Sequence, residues 1–407
     1  MRDTPASPSF WRSPLRGPWL TSVLGLVLLV GITVLFVTGL VSYAAYNPGL
    51  APVNDKTPDK GILGFYLFAW PTDPHWLYRL TQGVHVTLGV TLIPVLLAKL
   101  WSVVPKLFAL PPARSLTHAL ERVSLLLLVG GGLFEFVTGV LNAQLDYLFP
   151  GSFYPLHFYG AWVFFAAFVA HAVLKVPAAV RNVRRAREEG ELVAPRPDPP
   201  TVSRRGALWF VGGGSLLLFG TTAGQSFDGP LRRTALLAPH GGADPGTGPN
   251  GFQINKTAAY AGIDRAETAE DAWRLIVVGR SGRTVRLSRT ELSQLPLHSS
   301  ALPIACVEGW STSDQWWRGV RLRDLAALVG HDGDPPDVLV ESLQRRGAFR
   351  HAALRANQVA DPRSLLALYV NGEALSADHG YPARVIVPAA PGVLNTKWVA
   401  RLTFGKV

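Results

Sequence analysis

Five apolar runs dominate what this chain can become: Leu20–Val41, Leu80–Trp101, Val123–Leu141, Phe158–Val176 and Ala207–Ala223. Each is close to the ~20 residues an α-helix needs to cross the ~30 Å hydrocarbon core of a bilayer. Trp19, Tyr43, Trp76, Tyr78 and Trp101 stand near their ends, where aromatic residues favour the membrane–water interface. The fifth run, GALWFVGGGSLLLFGTTAG, is shorter and rich in glycine.

The chain has 407 residues, room for two or three domains. Apolar residues make up 48% and charged residues 16%, too apolar for an ordinary soluble protein. The excess lies before about residue 224, and the remainder reads as a globular domain. A net charge of +11 raises the question of nucleic acid. Much of it sits beside the apolar runs, at Arg181, Arg184, Arg185, Arg187, Arg204 and Arg205, with no aromatic-basic module, so no nucleic-acid partner is expected.

Positive charge beside spans sets orientation instead. Arg2, Arg12 and Arg16, then Lys99, Lys106, Arg114 and Arg122, then the basic loop Pro177–Arg205 fall on one side, expected to be the cytoplasm. The loops 44–78 and 142–156 are poor in Arg and Lys and fall outside. Five spans then put everything after residue 224 outside. Ser203-Arg204-Arg205-Gly206, ahead of a weakly hydrophobic Gly-rich run, resembles a twin-arginine export signal placed internally. No small-x-small cleavage site follows, so the segment is expected to stay as an anchor.

Residues 225–250 are rich in Gly and Pro and read as a linker. Beyond them short apolar runs alternate with turn signals. Leu275–Val278, Val285–Leu287, Val338–Glu341, Ala367–Val370 and Ala383–Val387 read as strands, and Arg321–Val329 and Arg363–Leu366 as short helical pieces.

Ionisable residues within membrane spans suggest function. His157 and His171 are fourteen residues apart, close to four helical turns, which puts both on one face ~21 Å apart. Haem iron takes axial imidazoles, and a bis-His site needs one from each of two helices. His85 lies level with His157, and His118 level with His171. Lys99, not His, stands fourteen residues after His85. The expected haem b pairs, one or two, are His85 with His157 and His118 with His171. His75 is a spare candidate better read as a loop residue, and Glu135 needs a polar partner or a proton-relay role. This half resembles the cytochrome b and b561-type four-helix bundles.

One cysteine rules out an intramolecular disulfide. A lone cysteine is most often an inert core residue. Its surroundings say otherwise. Ile304-Ala305-Cys306-Val307-Glu308-Gly309-Trp310-Ser311 is followed by Trp317-Arg318-Gly319-Val320-Arg321-Leu322-Arg323-Asp324-Leu325. Further on come Asn371-Gly372-Glu373, Asp378-His379-Gly380-Tyr381-Pro382-Ala383-Arg384 and Thr396-Lys397-Trp398. These ordered motifs resemble the sulfite-oxidase-type molybdopterin fold over about residues 250–407. The resemblance implies that Cys306 is the thiolate ligand to molybdenum, a soft donor for a metal already held by dithiolene sulfurs. It implies that Arg384 and Lys397 meet the cofactor phosphate, that His379 meets the pterin, and that Asn250, Asn255, Ser342, Asn395 and Thr396 hydrogen-bond the cofactor.

Cys306 is followed by Val-Glu-Gly-Trp with no adjacent Arg pair, unlike sulfite oxidases, which hold an anionic substrate with extra arginines. This resembles the bacterial periplasmic branch, which includes methionine-sulfoxide-reducing enzymes paired with a haem membrane subunit. The C-terminal immunoglobulin-like dimerisation domain of sulfite oxidases is expected to be absent.

The expected fold is an all-α membrane bundle of five transmembrane helices followed by an α+β molybdopterin-binding domain. The expected segments are a cytoplasmic N-terminus (1–19), a four-helix cytochrome b-like domain (20–176), a basic loop (177–206), a fifth helix (207–224), a linker (225–250) and the molybdopterin domain (251–407). The expected function is a multi-pass membrane molybdenum oxidoreductase with its catalytic domain extracytoplasmic. It would reduce a sulfoxide or similar oxo substrate, small or protein-borne, with electrons from a quinol through haem b. Two alternatives are a haem-free anchor with a separate electron partner and a non-catalytic membrane receptor.

Overall fold

The computed structural model describes residues 8–50, 68–105, 115–148, 153–194, 202–227, 229–239, 245–347 and 349–405. Arg2, Lys106, Arg114 and the side chain of His118 lie outside the described residues. The chain divides into two compact units, Met1–Val37 with His85–Thr222, and Thr38–Val84 with Ala223–Val407.

The long helices are α1 (Pro18–Ala44), α2 (Leu77–Val103), α3 (Leu116–Leu148), α4 (Tyr154–Arg184) and α5 (Arg204–Gly220). All five occur in segments long and apolar enough to cross a membrane by length and composition. Each of α1–α4 runs beyond its apolar stretch, because helices continue into polar flanks until a turn signal stops them. In the first unit α1 contributes Leu20, Leu24, Leu28 and Ile32, a four-residue repeat that makes one buried stripe. It meets Leu92, Val95 and Leu96 of α2 and Phe164 and Phe168 of α4. Val30, Leu126, Val173, Phe210 and Leu216 face outward, so these helices are apolar on their outer surface as well. Ser203 caps α5, its side chain accepting from Gly206 N at 3.0 Å.

The second unit is built on two sheets. Its short helices are α6 (Ala258–Ala261), α7 (Arg289–Gln294), α8 (Leu322–Leu328) and α9 (Ala356–Ala360). Its strands are β1 (Leu275–Val278), β2 (Thr284–Leu287), β3 (His298–Leu302), β4 (Gln315–Arg321), β5 (Val338–Ser342), β6 (His351–Leu354), β7 (Leu365–Val370), β8 (Glu373–Ala374), β9 (Arg384–Ile386) and β10 (Val399–Phe404). One sheet has the order β2-β1-β10-β5-β6, parallel only between β1 and β10. The other runs β3-β4-β7, with β8 and β9 both pairing to β7. The main core takes residues from both, including Leu275, Val277, Val340, Leu366, Leu368, Val385 and Leu402.

The five expected strands are present, β1 with the same bounds. Arg321–Val329 holds α8. Arg363–Leu366 is not helical: a turn stands before Leu365, where β7 begins, and the short helix is α9 instead. Leu365 and Leu366 are fully buried, and a central strand claims them. Within 225–250, 3-10 turns occupy Ala223–Ser226 and Gly229–Thr234. Arg232 fixes them, donating to the carbonyls of Gln225 at 2.7 Å and Ser311 at 2.8 Å and to Gln253 Oε1 at 3.0 Å.

Thr38–Val84 is an integral part of this second unit. Asn47, fully buried and in the left-handed conformation at φ 53°, donates to the Ala353 carbonyl at 3.1 Å and to Gln358 Oε1 at 2.8 Å. Asn tolerates that conformation better than most residues. Trp70, also fully buried, donates its indole N–H to the Ala389 carbonyl at 2.7 Å. Arg363 bridges Asp73 and Asp361, each at 2.7 Å.

Candidate functional site

Cys306 sits in a tight loop closed by backbone bonds. Thr312 N donates to Ile304 O at 2.9 Å, Cys306 N to Trp310 O at 2.8 Å and Gly309 N to Cys306 O at 3.1 Å. The turn needs φ +94° at Gly309, a conformation glycine adopts without steric cost. Cys306 is 3% exposed. Its Sγ lies 3.5 Å from Glu308 Oε2, which also accepts the Trp310 indole N–H at 2.9 Å. Burial first, and then the Glu308 charge, push the thiol well above its ordinary range. Without a metal Cys306 is therefore a neutral thiol, and a bound metal cation reverses that balance.

A cluster of cations faces the same core. Arg384 and Lys397 are buried, and His379 is 2% exposed. Lys397 Nζ donates to the carbonyls of Lys256 and, at 2.9 Å, Asp378. Burial pulls Lys397 well below its usual value, with Arg384 and Lys256 adding to the effect, and pulls Arg384 down to about 9. His379 falls to about 3, through burial and then the charges of Arg384 and Lys397, and is neutral. It stacks on Phe252 with ring centroids 3.9 Å apart and bonds the Asn250 carbonyl through Nε2 at 2.8 Å.

Aromatic side chains join the cations to the cysteine. Phe252 packs edge-on to Trp317, the Arg384 guanidinium lies 5.5 Å from the Trp317 ring, and Phe252, Cys306, Trp310 and Trp317 share one buried cluster. The sequence-predicted residues are distributed around this core. Asn250 bonds the backbone at Ala374 and Ser376, and Ser342 Oγ donates to the Lys397 carbonyl at 2.7 Å. Asn395 Oδ1 accepts from Val387 N at 2.8 Å. Asn255 is half-buried in the loop that leads to α6.

Three buried polar atoms here have no hydrogen-bond partner among the described residues: Arg384 Nε, Asn395 Nδ2 and Thr396 Oγ1. Buried polar groups are nearly always satisfied, so three orphans beside two buried cations fit a polar, anionic group held there. Among the described residues no three His, Cys, Asp or Glu converge as a metal cage. A metal at Cys306 therefore needs further ligands from a cofactor.

Residues 261–407 match the model of the oxidoreductase molybdopterin binding domain. The C-terminal domain is of the sulfite-oxidase, molybdopterin-binding type. The molybdopterin domain is 32% identical over 158 residues to mitochondrial sulfite oxidase of Rattus norvegicus, covering 33% of this chain and 29% of that one. It is 31% identical over 134 residues to the uncharacterized oxidoreductase YuiH of Bacillus subtilis (strain 168), covering 33% and 66%. Against nitrate reductase [NAD(P)H] of Hordeum vulgare it is 39% identical over 94 residues, covering 21% and 10%. The chain thus spans under a third of the mammalian sulfite oxidases it matches. These likenesses support a molybdopterin-binding domain of oxidoreductase type in residues 261–407. The matched family segment contains Cys306, Ser342, His379, Arg384, Asn395, Thr396 and Lys397, and excludes Asn250, Asn255 and the helical half.

Sequence reasoning missed the residues that reach the Cys306 loop from Thr38–Val84. Gln82 Nε2 donates to the Val307 carbonyl. Arg79 donates to the Ser226 carbonyl at 2.6 Å, and Ser226 Oγ donates to the Gly309 carbonyl at 3.2 Å. Tyr46 and Tyr78 are 4% and 0% exposed, their hydroxyls 3.3 Å apart. Tyr78, expected at a lipid interface, is a core residue of this unit.

In the first unit the rings of His85 and His157 stand 6.2 Å apart at 88°. His85 Nδ1 bonds the Leu35 carbonyl at 3.0 Å. His157 Nδ1 meets Thr138 Oγ1 at 2.9 Å and Glu135 Oε2 at 3.1 Å. His171 is half-buried on α4, and His75 pairs with Asp314 at 3.3 Å in the second unit.

Proposed function

We propose that this protein is a membrane-anchored molybdenum oxidoreductase that transfers an oxygen atom, acting as a reductase of a sulfoxide or related oxo compound. The observation that carries the reading is the buried Cys306 thiol in one cluster with Trp317, which the Arg384 guanidinium faces, together with the buried Lys397 and three orphaned polar atoms. Cys306 would ligate the metal, Arg384 and Lys397 would bind the cofactor phosphate, and His379 with Asn250, Asn255, Ser342, Asn395 and Thr396 would hold the remaining polar edges. The cofactor supplies two-electron oxygen-atom transfer, and the chain's residues bind, orient and shield it. Phe252, Trp310 and Trp317 exclude water from the buried side of the site.

Electrons would come from a quinol through haem b, held by His85 and His157. These two histidines, on different helices with rings 6.2 Å apart, would hold the haem, which would supply one-electron transfer. Each Nδ1 bonds an oxygen, as ligating histidines usually do through the nitrogen that does not bind metal. A second haem would use His118 and His171. The basic flanks support a cytoplasmic N-terminus and an extracytoplasmic catalytic domain, and Arg204-Arg205 at the start of α5 supports export after cofactor loading.

Molybdenum analysis and an optical spectrum of detergent-purified full-length protein test this, with Cys306→Ser alongside. About one molybdenum per chain, lost in the variant, together with a bis-His haem spectrum, is expected. Wild-type protein without molybdenum overturns the molybdenum site. Molybdenum without a Soret band overturns the haem and leaves a simple anchor with a separate electron partner.

A further inference from the structure

Residues 225–250 read as a linker by composition, yet Gly229–Thr234 is a 3-10 helix, and Phe227, Leu231, Leu236 and Leu237 around it are 46–77% exposed. Scattered apolar residues on a surface are ordinary, but several grouped in one short segment mark a contact with a protein or a membrane. The segment follows directly on a membrane-length stretch, Arg204–Ser226. Arg79 donates to the Ser226 carbonyl at 2.6 Å, and exposed Trp76 and Leu80 flank Arg79 where α2 begins. The two adjacent arginines of the 3-10 helix differ. Arg233 is exposed, whereas Arg232 is half-buried and holds the carbonyls of Gln225 and Ser311. Ser226 Oγ holds the Gly309 carbonyl. The apolar segment is thereby joined to the Cys306 loop.

We propose that Phe227, Leu231, Leu236 and Leu237, flanked by Trp76 and Leu80, form an interfacial seat that lies in the headgroup–acyl boundary of the bilayer. The proposal rests on the membrane-anchored reading. Three membrane-length helical stretches have an end in the catalytic unit: Thr38–Ala44 of α1, Leu77–Val84 of α2 and Ala223–Ser226 after α5. An apolar patch continuous with such ends meets lipid first, because the chain itself holds it at the bilayer surface. Its chemistry suits that place. Leu, Phe and Trp side chains settle in the boundary layer, and a neighbouring cation such as Arg233 meets headgroup phosphates. Burying the patch in lipid removes apolar surface from water, which is favourable roughly in proportion to area. Arg232 and Ser226 then carry the position of the seat to the Cys306 loop.

The test uses full-length protein in vesicles of phosphatidylcholine and phosphatidylglycerol, with the photo-crosslinker benzoylphenylalanine in place of Leu231, of Leu236 or, as a control, of Thr284. All three positions are exposed, so the replacements leave the core intact. Thr284 stands on β2, at the opposite edge of its sheet from β6, the strand that bonds Asn47. Illumination is expected to give an adduct of lipid mass at positions 231 and 236 and none at 284. Adducts at twice the chain mass, a second copy seated on the patch, overturn the proposal. So does the absence of a lipid adduct at both 231 and 236, or equal lipid adducts at all three positions, in protein that resists extraction by alkaline carbonate. Protein released by carbonate overturns the membrane anchor itself, and the seat with it.

Discussion

Glu308 Oε2 accepts the indole N–H of Trp310 at 2.9 Å while lying 3.5 Å from the sulfur of Cys306. One carboxylate oxygen thus fixes both the wall and the nucleus of the site. Glu308→Ala strips a buried indole N–H of its acceptor, which costs about 1–3 kcal/mol. Denaturant unfolding of the full-length protein should record that loss, and Glu308→Gln, which keeps an acceptor oxygen, should recover most of it. Equal destabilisation by both changes would show that the charge, not the hydrogen bond, holds the loop.

Arg384 and Lys397 set a pH dependence whose sign follows from burial. Lys397 lies well below its usual value and Arg384 near 9 rather than 12.5, so each folded-state value is under the unfolded one. Within those windows the unfolded chain binds more protons, and stability of cofactor-free protein rises with pH. For Arg384 the rise runs upward from about pH 9. Cofactor retention moves the opposite way, because a phosphate prefers both cations charged. Thermal melts of cofactor-free Arg384→Met and Lys397→Met at neutral pH should exceed wild type, with cofactor phosphorus lost from both. A lower melting temperature in both would mean that the cations are already well compensated.

Glu135 bears on the haem reading. A carboxylate on the far nitrogen of a ligating histidine makes the ring a stronger donor and favours the oxidised metal. Glu135→Gln is expected to retain haem and raise its midpoint potential, whereas His85→Ala and His157→Ala should each abolish the bis-His spectrum. Spectroelectrochemical titration checks this, and an unmoved potential in Glu135→Gln would reduce Glu135 to a packing role.

Gly319 lies where β4 and β7 shift register. A methyl group there would meet the Leu366 carbonyl oxygen and come within 2.6 Å of the Ala367 Cα. Both obstacles are backbone, so Gly319→Ala is overpacked by about 1–3 kcal/mol. Trp317, two residues away, borders the Arg384 site, so molybdenum content should fall along with the urea midpoint. A variant with the wild-type midpoint would show that the two strands can part at little cost.

The sequence made the long helices and the cysteine site legible for different reasons. Apolar length alone marks α1–α5, since covering a helix of that size requires a membrane or a large core. Cys306, Arg384 and Lys397 were visible through ordered motifs. Leu365 and Leu366 misled because a short apolar run is consistent with helix or buried strand alike, and only pairing with β4 and β9 decides it. β4 was missed because QWWRGVR places Arg and Trp side by side, although burial alternates over its first five residues. Tyr78 looked like an interfacial aromatic, and Tyr46 and Trp70 carried no signal of their own. Their partners lie hundreds of residues away, and local patterning carries no trace of such contacts.

The bond between Asn47 and Gln358 joins positions 311 residues apart. It has a topological corollary. Both residues belong to one folded unit, so they must emerge on the same face of any bilayer the helices cross. The chain departs along α2 and comes back along α5, four membrane-length helices in all. Only an even number of crossings brings it home. The hydrogen bond is thus a parity check on insertion: a chain that gained or lost one crossing there would deliver Gln358 to the opposite compartment, and the unit could not close.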